Sequence, residues 1–257
     1  MPSAQANGVT IAFTQRGEGP PIVLIHGAEA DHAMFTLLAT VLSHRFSAIA
    51  YDQRDCGGTE TPAPTYGITD LADDAAALIA TLGFPRAHVF GTSFGGTVAQ
   101  LLADRHPERV DRLVLASTWR AGLSPLDVNP DVVRTLIALR ADPVANAPKI
   151  ATYFFPDEYL AGHAEAVELF RRGLPDDPRR GRRQAVTLQA ASADLSHFAR
   201  PVLLLAGAED RLIPSAATIA LGRDIPHAQT VILPGVGHAG AVHAPDQVGE
   251  AVMSFLS

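Results

Sequence analysis

Long apolar runs are missing from this sequence of 257 residues. No stretch approaches the roughly 20 consecutive apolar residues that cross a bilayer, so no membrane span is expected. The opening residues, MPSAQANGVT, have neither a basic n-region nor an apolar h-region, and no signal peptide is expected. Cys56 is the single cysteine. An internal disulfide is therefore impossible and a cysteine-based zinc site is excluded. One thiol suits a reducing compartment, and the reading is a soluble, cytoplasmic protein. H-E-x-x-H is absent, and His238 and His243 are poorly spaced for one helix face, so no metal is expected. A basic surplus is also lacking. With 20 Lys and Arg against 27 Asp and Glu, the net charge is −7, which argues against a nucleic-acid-binding surface. The one basic run, PRRGRR at 178–183, reads as a solvated helix face.

Hydrophobic residues make up 47% of the chain and charged ones 18%, which is ordinary globular usage and excludes extensive disorder. The length suits one α/β domain. The pattern begins with an alternating strand, VTIAFTQRG, and a Gly-Pro break. PIVLIHG follows as a continuous apolar run, suited to a strand buried on both faces. A helical period over HAMFTLLATVLSHR leads to a second buried strand, FSAIAYDQR. Strand and helix then alternate through TDLADDAAALIATLG, AHVFG, GGTVAQLLADRHP and VDRLVLAST. Residues 119–198 break the rhythm with helix-like segments, Pro and Gly, and no convincing buried strand. PVLLLAGAED resumes it, followed by the helix PSAATIALGRDI, the strand QTVILPG and a closing helix, PDQVGEAVMSFLS. Such alternation predicts a mostly parallel sheet with helices on both faces. The expected organisation is a discontinuous core, 1–118 plus 199–257, with 119–198 as an inserted helical cap. Ligands of open α/β sheets bind beyond the carboxyl ends of the strands, where such a cap would lie.

Chemically useful residues stand at those strand ends. Gly91-Thr92-Ser93-Phe94-Gly95 matches G-x-S-x-G between a strand and a helix, the context this motif needs. The sharp turn forces its central residue toward positive φ, and small neighbours allow close packing. A serine needs a base. His238, in the glycine-flanked loop PGVGHAG, is the candidate, and His243 is its rival. Asp210, ending PVLLLAGAED, is the candidate carboxylate to orient that base, with Glu209 as the alternative. The chain order Ser93, Asp210, His238 is the order that accompanies this motif. For the oxyanion, the backbone N–H of Phe94 and one from the loop after IVLIHG, assigned to Ala28, are the expected donors. His26 is expected to brace that loop.

Together VLIHG, YDQRDCGGTE, GTSFGG, HPERVDRLVLAST, LLLAGAEDRLIP and GVGHAG make the chain resemble the α/β-hydrolase-fold family over nearly its whole length. The resemblance implies an eight-stranded, mainly parallel sheet, a serine triad and a helical cap. Within the family the chain looks most like the small esterases and lactonases, including the 3-oxoadipate enol-lactonase type, and YDQRD is similar to some methylesterases. Two positions depart from the usual pattern: Asp55 stands where glycine is common, and Thr59 where serine is. Local rearrangement of that loop is expected, with the reaction unchanged. Relatives that open epoxides or displace halide need an aspartate at the nucleophile position, so Ser93 excludes those reactions.

The expected activity is hydrolysis of small carboxylic esters or lactones, without a cofactor, through an acyl-enzyme on Ser93. Three alternatives use the same residues or the same fold: a carbon–carbon bond hydrolase, a perhydrolase of the cofactor-free haloperoxidase type, and a non-enzymatic ligand receptor. The expected partner is a small-molecule substrate, and the pattern leaves monomer or dimer open. Candidate pocket residues are Trp119, Arg120 and Phe154. Core packing is the alternative for Trp119 and a surface ion pair for Arg120. The aromatics of YFFPDEY (153–159) either face the pocket or hold the cap helices together.

Overall fold

The computed structural model describes residues 1–28, 30–62, 65–171, 178–225 and 227–257. Eight strands form one sheet: β1 (Ser3–Ala6), β2 (Val9–Arg16), β3 (Pro21–Ile25), β4 (Ser47–Tyr51), β5 (Ala87–Thr92), β6 (Val110–Ala116), β7 (Val202–Gly207) and β8 (Gln229–Leu233). Their spatial order is β1-β2-β4-β3-β5-β6-β7-β8. From β4 to β8 every neighbouring pair is parallel, while β2 joins β4 and β1 joins β2 antiparallel. This is the α/β-hydrolase sheet implied by the resemblance. The β1 strand has no counterpart in the apolar pattern. Its signal is Asn7-Gly8, both at positive φ (49° and 75°), the turn that two-residue hairpins favour.

The faces of the sheet are covered mainly by α1 (Thr36–Leu42), α2 (Ile68–Thr81), α3 (Phe94–Arg105) and, at the end of the chain, Pro245–Leu256. The period-two rule of strands assigns residues to the faces. Val23, Ile25, Ile49 and Tyr51 pack with α2 and α3, whose Leu71, Ile79, Val98 and Leu102 are buried. Ile22, Leu24, Ala48 and Ala50 pack on the other face with Phe35, Leu38 and Leu42 near α1 and with Val252 and Phe255 of the last helix. Strands buried on both faces explain the unbroken apolar runs.

Between β6 and β7 the described residues contain helices and no strand: α4 (Pro125–Val128), α5 (Pro130–Leu139), α6 (Pro143–Phe154), α7 (Asp157–Gly162), α8 (Glu168–Arg171) and α9 (Pro178–Thr187). Phe155 and Ala166 form a small apolar cluster of their own, joined by Tyr159 and Phe170. Phe155 meets Tyr159, Phe170 and His243 ring to ring at 5.3–5.9 Å. Most of the YFFPDEY aromatics therefore tie these helices together.

The loop after β4 shows why DQRDCGGT is polar yet mostly buried. Asp52 accepts from the Gly58 and His32 N–H groups at 2.8 and 2.7 Å. Thr59 Oγ1 accepts from Ala12 N at 2.9 Å. Arg54 grips Asp74 of α2 with two bonds, 2.6 and 2.8 Å, and Asn7 adds a third at 2.8 Å. Removing one partner of a buried ion pair strands the other charge, at about 3–5 kcal/mol. Asp74→Asn is therefore expected to lower unfolding stability by about that amount, read by urea denaturation. A loss within experimental error would mean that solvent reaches and rescues Arg54.

Candidate active site

The turn between β5 and α3 holds Ser93 at φ 55° and ψ −128°. A non-glycine residue pays about 1–3 kcal/mol there, so its surroundings must over-determine it. Ser93 N–H donates to Ala116 O of β6 at 3.0 Å, and Ser93 O accepts from Gly96 N at 2.9 Å and Thr118 Oγ1 at 2.7 Å. A side chain on Gly95 would run into the carbonyl oxygens of Ile25 and His26. Its absence lets α3 start directly against the end of β3. That proximity brings the loop after β3 to the serine: a Cβ on Gly27 would lie 3.5 Å from Ser93 Cβ.

Three side chains from three strand ends meet here. His238 Nε2 lies 3.0 Å from Ser93 Oγ, and His238 Nδ1 lies 2.9 Å from Asp210 Oδ2 and 3.2 Å from Oδ1. The carboxylate is held in turn by the N–H groups of Leu212 and Ile213, which donate to Oδ1 at 3.0 and 2.8 Å. Asp210 and His238 are both buried. Glu209 is exposed and meets neither ring nitrogen of His238. His243 is not in the chain of bonds. Its Nδ1 lies 2.8 Å from Ala239 O and its Nε2 accepts from Gly237 N at 3.2 Å. A carbonyl only accepts and an N–H only donates, so this ring is neutral with its proton on Nδ1. Burial also lowers its pKa. His243 braces the loop that presents His238.

The same logic fixes His26. Its Nδ1 lies 2.8 Å from Gly27 O, and its Nε2 accepts from Gln53 N at 3.1 Å. The ring is wholly buried, and desolvation, aided by the charge of Arg183, lowers its pKa to about 3. It is a neutral brace for the loop after β3. All peptides here are trans, so pinning the Gly27 carbonyl turns the Ala28 N–H to the opposite side of that peptide plane.

Phe154 ends α6 with its ring edge-on to His238 at 5.6 Å, and its carbonyl accepts from Ala239 N at 3.0 Å. The other two pocket candidates sit elsewhere. Trp119 is 3% exposed, packed in the main core, with Nε1 donating to Leu123 O at 3.0 Å. Arg120 points to the surface, 62% exposed, and pairs with Asp224 at 3.1 Å. The chain turns at Gly122, φ 96°, just beyond them.

Two further departures from expectation concern α9. Its arginines are not simply a solvated face. Arg182 pairs with Asp55 through bonds of 2.8 and 2.9 Å, and Asp55, at φ 61°, uses the glycine-like conformation its position demands. Arg183 is buried, with Nε donating to Ala28 O at 3.0 Å and its guanidinium 4.9 Å from the Phe94 ring centre. PRRGRR was the available signal, but a basic run does not show which arginine turns inward. Among the described residues, Asp31, His32 and Asp52 lie close enough to share a cation. Three of their four carboxylate oxygens are already engaged: Asp31 Oδ1 accepts from Ala33 N, and both oxygens of Asp52 serve His32 and Gly58.

A strand-to-helix serine turn, with a histidine and an aspartate delivered by later strand ends of a mainly parallel sheet, defines the hydrolases of this architecture. The chain belongs to the α/β-hydrolase-fold family, which it matches over residues 20–245. A relative in Caulobacter sp. (strain K31), assigned by name as a carbamate hydrolase, RutD, is 30% identical, with 92% of this chain and 90% of that one covered. The 2-(acetamidomethylene)succinate hydrolase of Mesorhizobium japonicum is 29% identical, over 96% and 92%. Among solved structures, the enol-lactonase of Burkholderia xenovorans LB400 superposes with a TM-score of 0.84 at 26% identity, covering 99% of both chains. No helix among the described residues is long and apolar enough to cross a membrane.

His26 makes stability depend on pH. Unfolded, it titrates near 6.5; folded, it stays neutral to about 3. Above 6.5 both states are neutral and its bonds contribute fully. Below that, only the unfolded chain takes up the proton, so stability falls by up to about 1.4 kcal/mol per pH unit. His26→Asn is expected to show a shallower fall in urea midpoint below pH 6.5 than the wild type. Equal slopes would rule out His26 as the source.

Proposed function

We propose that the protein is a serine hydrolase that cleaves small carboxylic esters or lactones through an acyl-enzyme on Ser93. The observation that carries this reading is the unbroken hydrogen-bond chain from Ser93 Oγ through His238 to Asp210. In that geometry Nε2 of His238 takes the serine proton as Oγ attacks the carbonyl. Asp210 accepts from Nδ1–H, fixing the tautomer and stabilising the imidazolium. Because Leu212 and Ile213 already donate to Asp210, its charge is held without rotation. The Phe94 N–H, at the start of α3, and the Ala28 N–H receive the oxyanion. The position of Gly27 against Ser93 and the pinned Gly27 carbonyl support that pairing. His238 returns the proton to the leaving alcohol, and water, activated by the same imidazole, frees the acid.

Residues 119–198 act as a cap that selects what reaches Ser93. Phe154 against His238 and Arg183 against Ala28 support this role. A second reading extends the leaving group to nitrogen, because both curated relatives described above are named for carbamate or acetamido substrates. The same imidazole that protonates an alcohol protonates an amine.

A fluorophosphonate should label one peptide, that of Ser93, and label nothing in folded Ser93→Ala. Turnover of p-nitrophenyl esters should fall by about 10³-fold or more in that variant. An unlabelled Ser93 in the folded wild type would sink the assignment.

A further inference from the structure

The reaction above leaves one buried charge unused. Arg183 is 5% exposed. Its Nε donates to Ala28 O at 3.0 Å and its Nη2 lies 3.5 Å from Gly27 O, a weak bond at best. Its Nη1 is buried with no hydrogen-bond partner among the described residues, and one turn earlier Arg180 Nε is in the same condition. Its neighbour Arg182 has an ion pair, with Asp55. No carboxylate among the described residues pairs with Arg183 itself.

A guanidinium cannot shed its proton to escape burial. A buried cation without an anion is costly and persists where something else supplies the negative charge. Its place says what that is. Arg183 touches Ala28 through the carbonyl and Phe94 through the ring face. These are the two residues whose N–H groups receive the oxyanion, so the guanidinium lies on the acyl side of the site. The protein as a whole carries −7 and repels anions at long range. An anionic substrate therefore needs a cation close to the reacting carbonyl, and α9 provides one. The Asp55–Arg182 pair, with the Asp55 carboxylate fully buried, anchors α9 so that the next residue faces inward.

We propose that Arg183 binds a carboxylate carried by the acyl part of the substrate, and that the preferred substrates are monoesters, lactones or amides of short dicarboxylic acids. The proposal rests on the serine-hydrolase reading and narrows it. An arginine that only pinned the oxyanion loop would serve charged and neutral acyl groups alike, which separates the two roles.

The test compares p-nitrophenyl hemiglutarate with p-nitrophenyl valerate, whose acyl chains match in length and differ in charge. Wild type should prefer the hemiglutarate by about tenfold or more in kcat/KM, as a charge-assisted bond permits. Arg183→Met should slow both esters through the loosened loop. It should cost the hemiglutarate about tenfold more, mainly in KM, and Arg183→Lys should restore part of the preference. In parallel, glutarate should protect Ser93 from the fluorophosphonate where glutaramide does not, which reads the same preference if neither ester turns over. Equal kcat/KM for the two esters, equal losses in Arg183→Met, or protection indifferent to charge would each overturn the proposal. If Ser93 still labels, only this proposal falls; if Ser93 fails to label, the hydrolase reading falls with it.

Discussion

A single strained residue sets the terms for the rest of this protein. Ser93 sits at φ 55° between a strand and a helix, and no local preference keeps it there. It is held by groups that come from elsewhere in the chain: the Ala116 carbonyl at the end of β6, the Thr118 hydroxyl, and the end of β3 pressed against Gly95. The strand order makes this possible. β3 and β5 are neighbours although β4 separates them in sequence, and such a reversal opens a crevice at the strand ends. The loop after β3 and Ser93 occupy its two sides.

Histidine is used in two ways around that crevice. His26 and His243 each donate one ring proton to a carbonyl and accept an N–H on the other nitrogen, and burial keeps them neutral. They are rigid spacers with two hydrogen-bonding ends. His238 has an aspartate on one side and an alcohol on the other. The same side chain thus either braces a loop or links two other side chains, according to what its two nitrogens face.

Much of this was legible in the residues. Seven of the eight strands show as apolar runs or alternation, because a sheet covered on both sides needs them. Ser93, Asp210 and His238 show because turns, strand ends and glycine-flanked loops leave marks at fixed places. The β1 strand was missed because a short edge strand buries little, and its one mark was Asn7-Gly8. The helical stretch was the least readable. Trp119 and Arg120 follow a strand end as pocket residues would, yet one packs into the core and the other pairs with Asp224 at the surface. Arg183 was hidden in a run of arginines. Which of them faces inward depends on the rotation of α9, and that depends on Asp55, more than a hundred residues earlier.

The three bonded side chains also carry a lesson about assembly. Asp210 and His238 are 28 residues apart, and His238 and Ser93 are 145 apart. The hairpin of β1 and β2 closes within a few residues, whereas these partners are brought together only by the side-by-side placing of β5, β6, β7 and β8. Loop closure over such spans is slow and comes after local structure. A chain whose last two strands are out of place keeps Ser93 in its turn without Asp210 and His238 against it. The bond chain at Ser93 is therefore a direct record that the final strand has found its place.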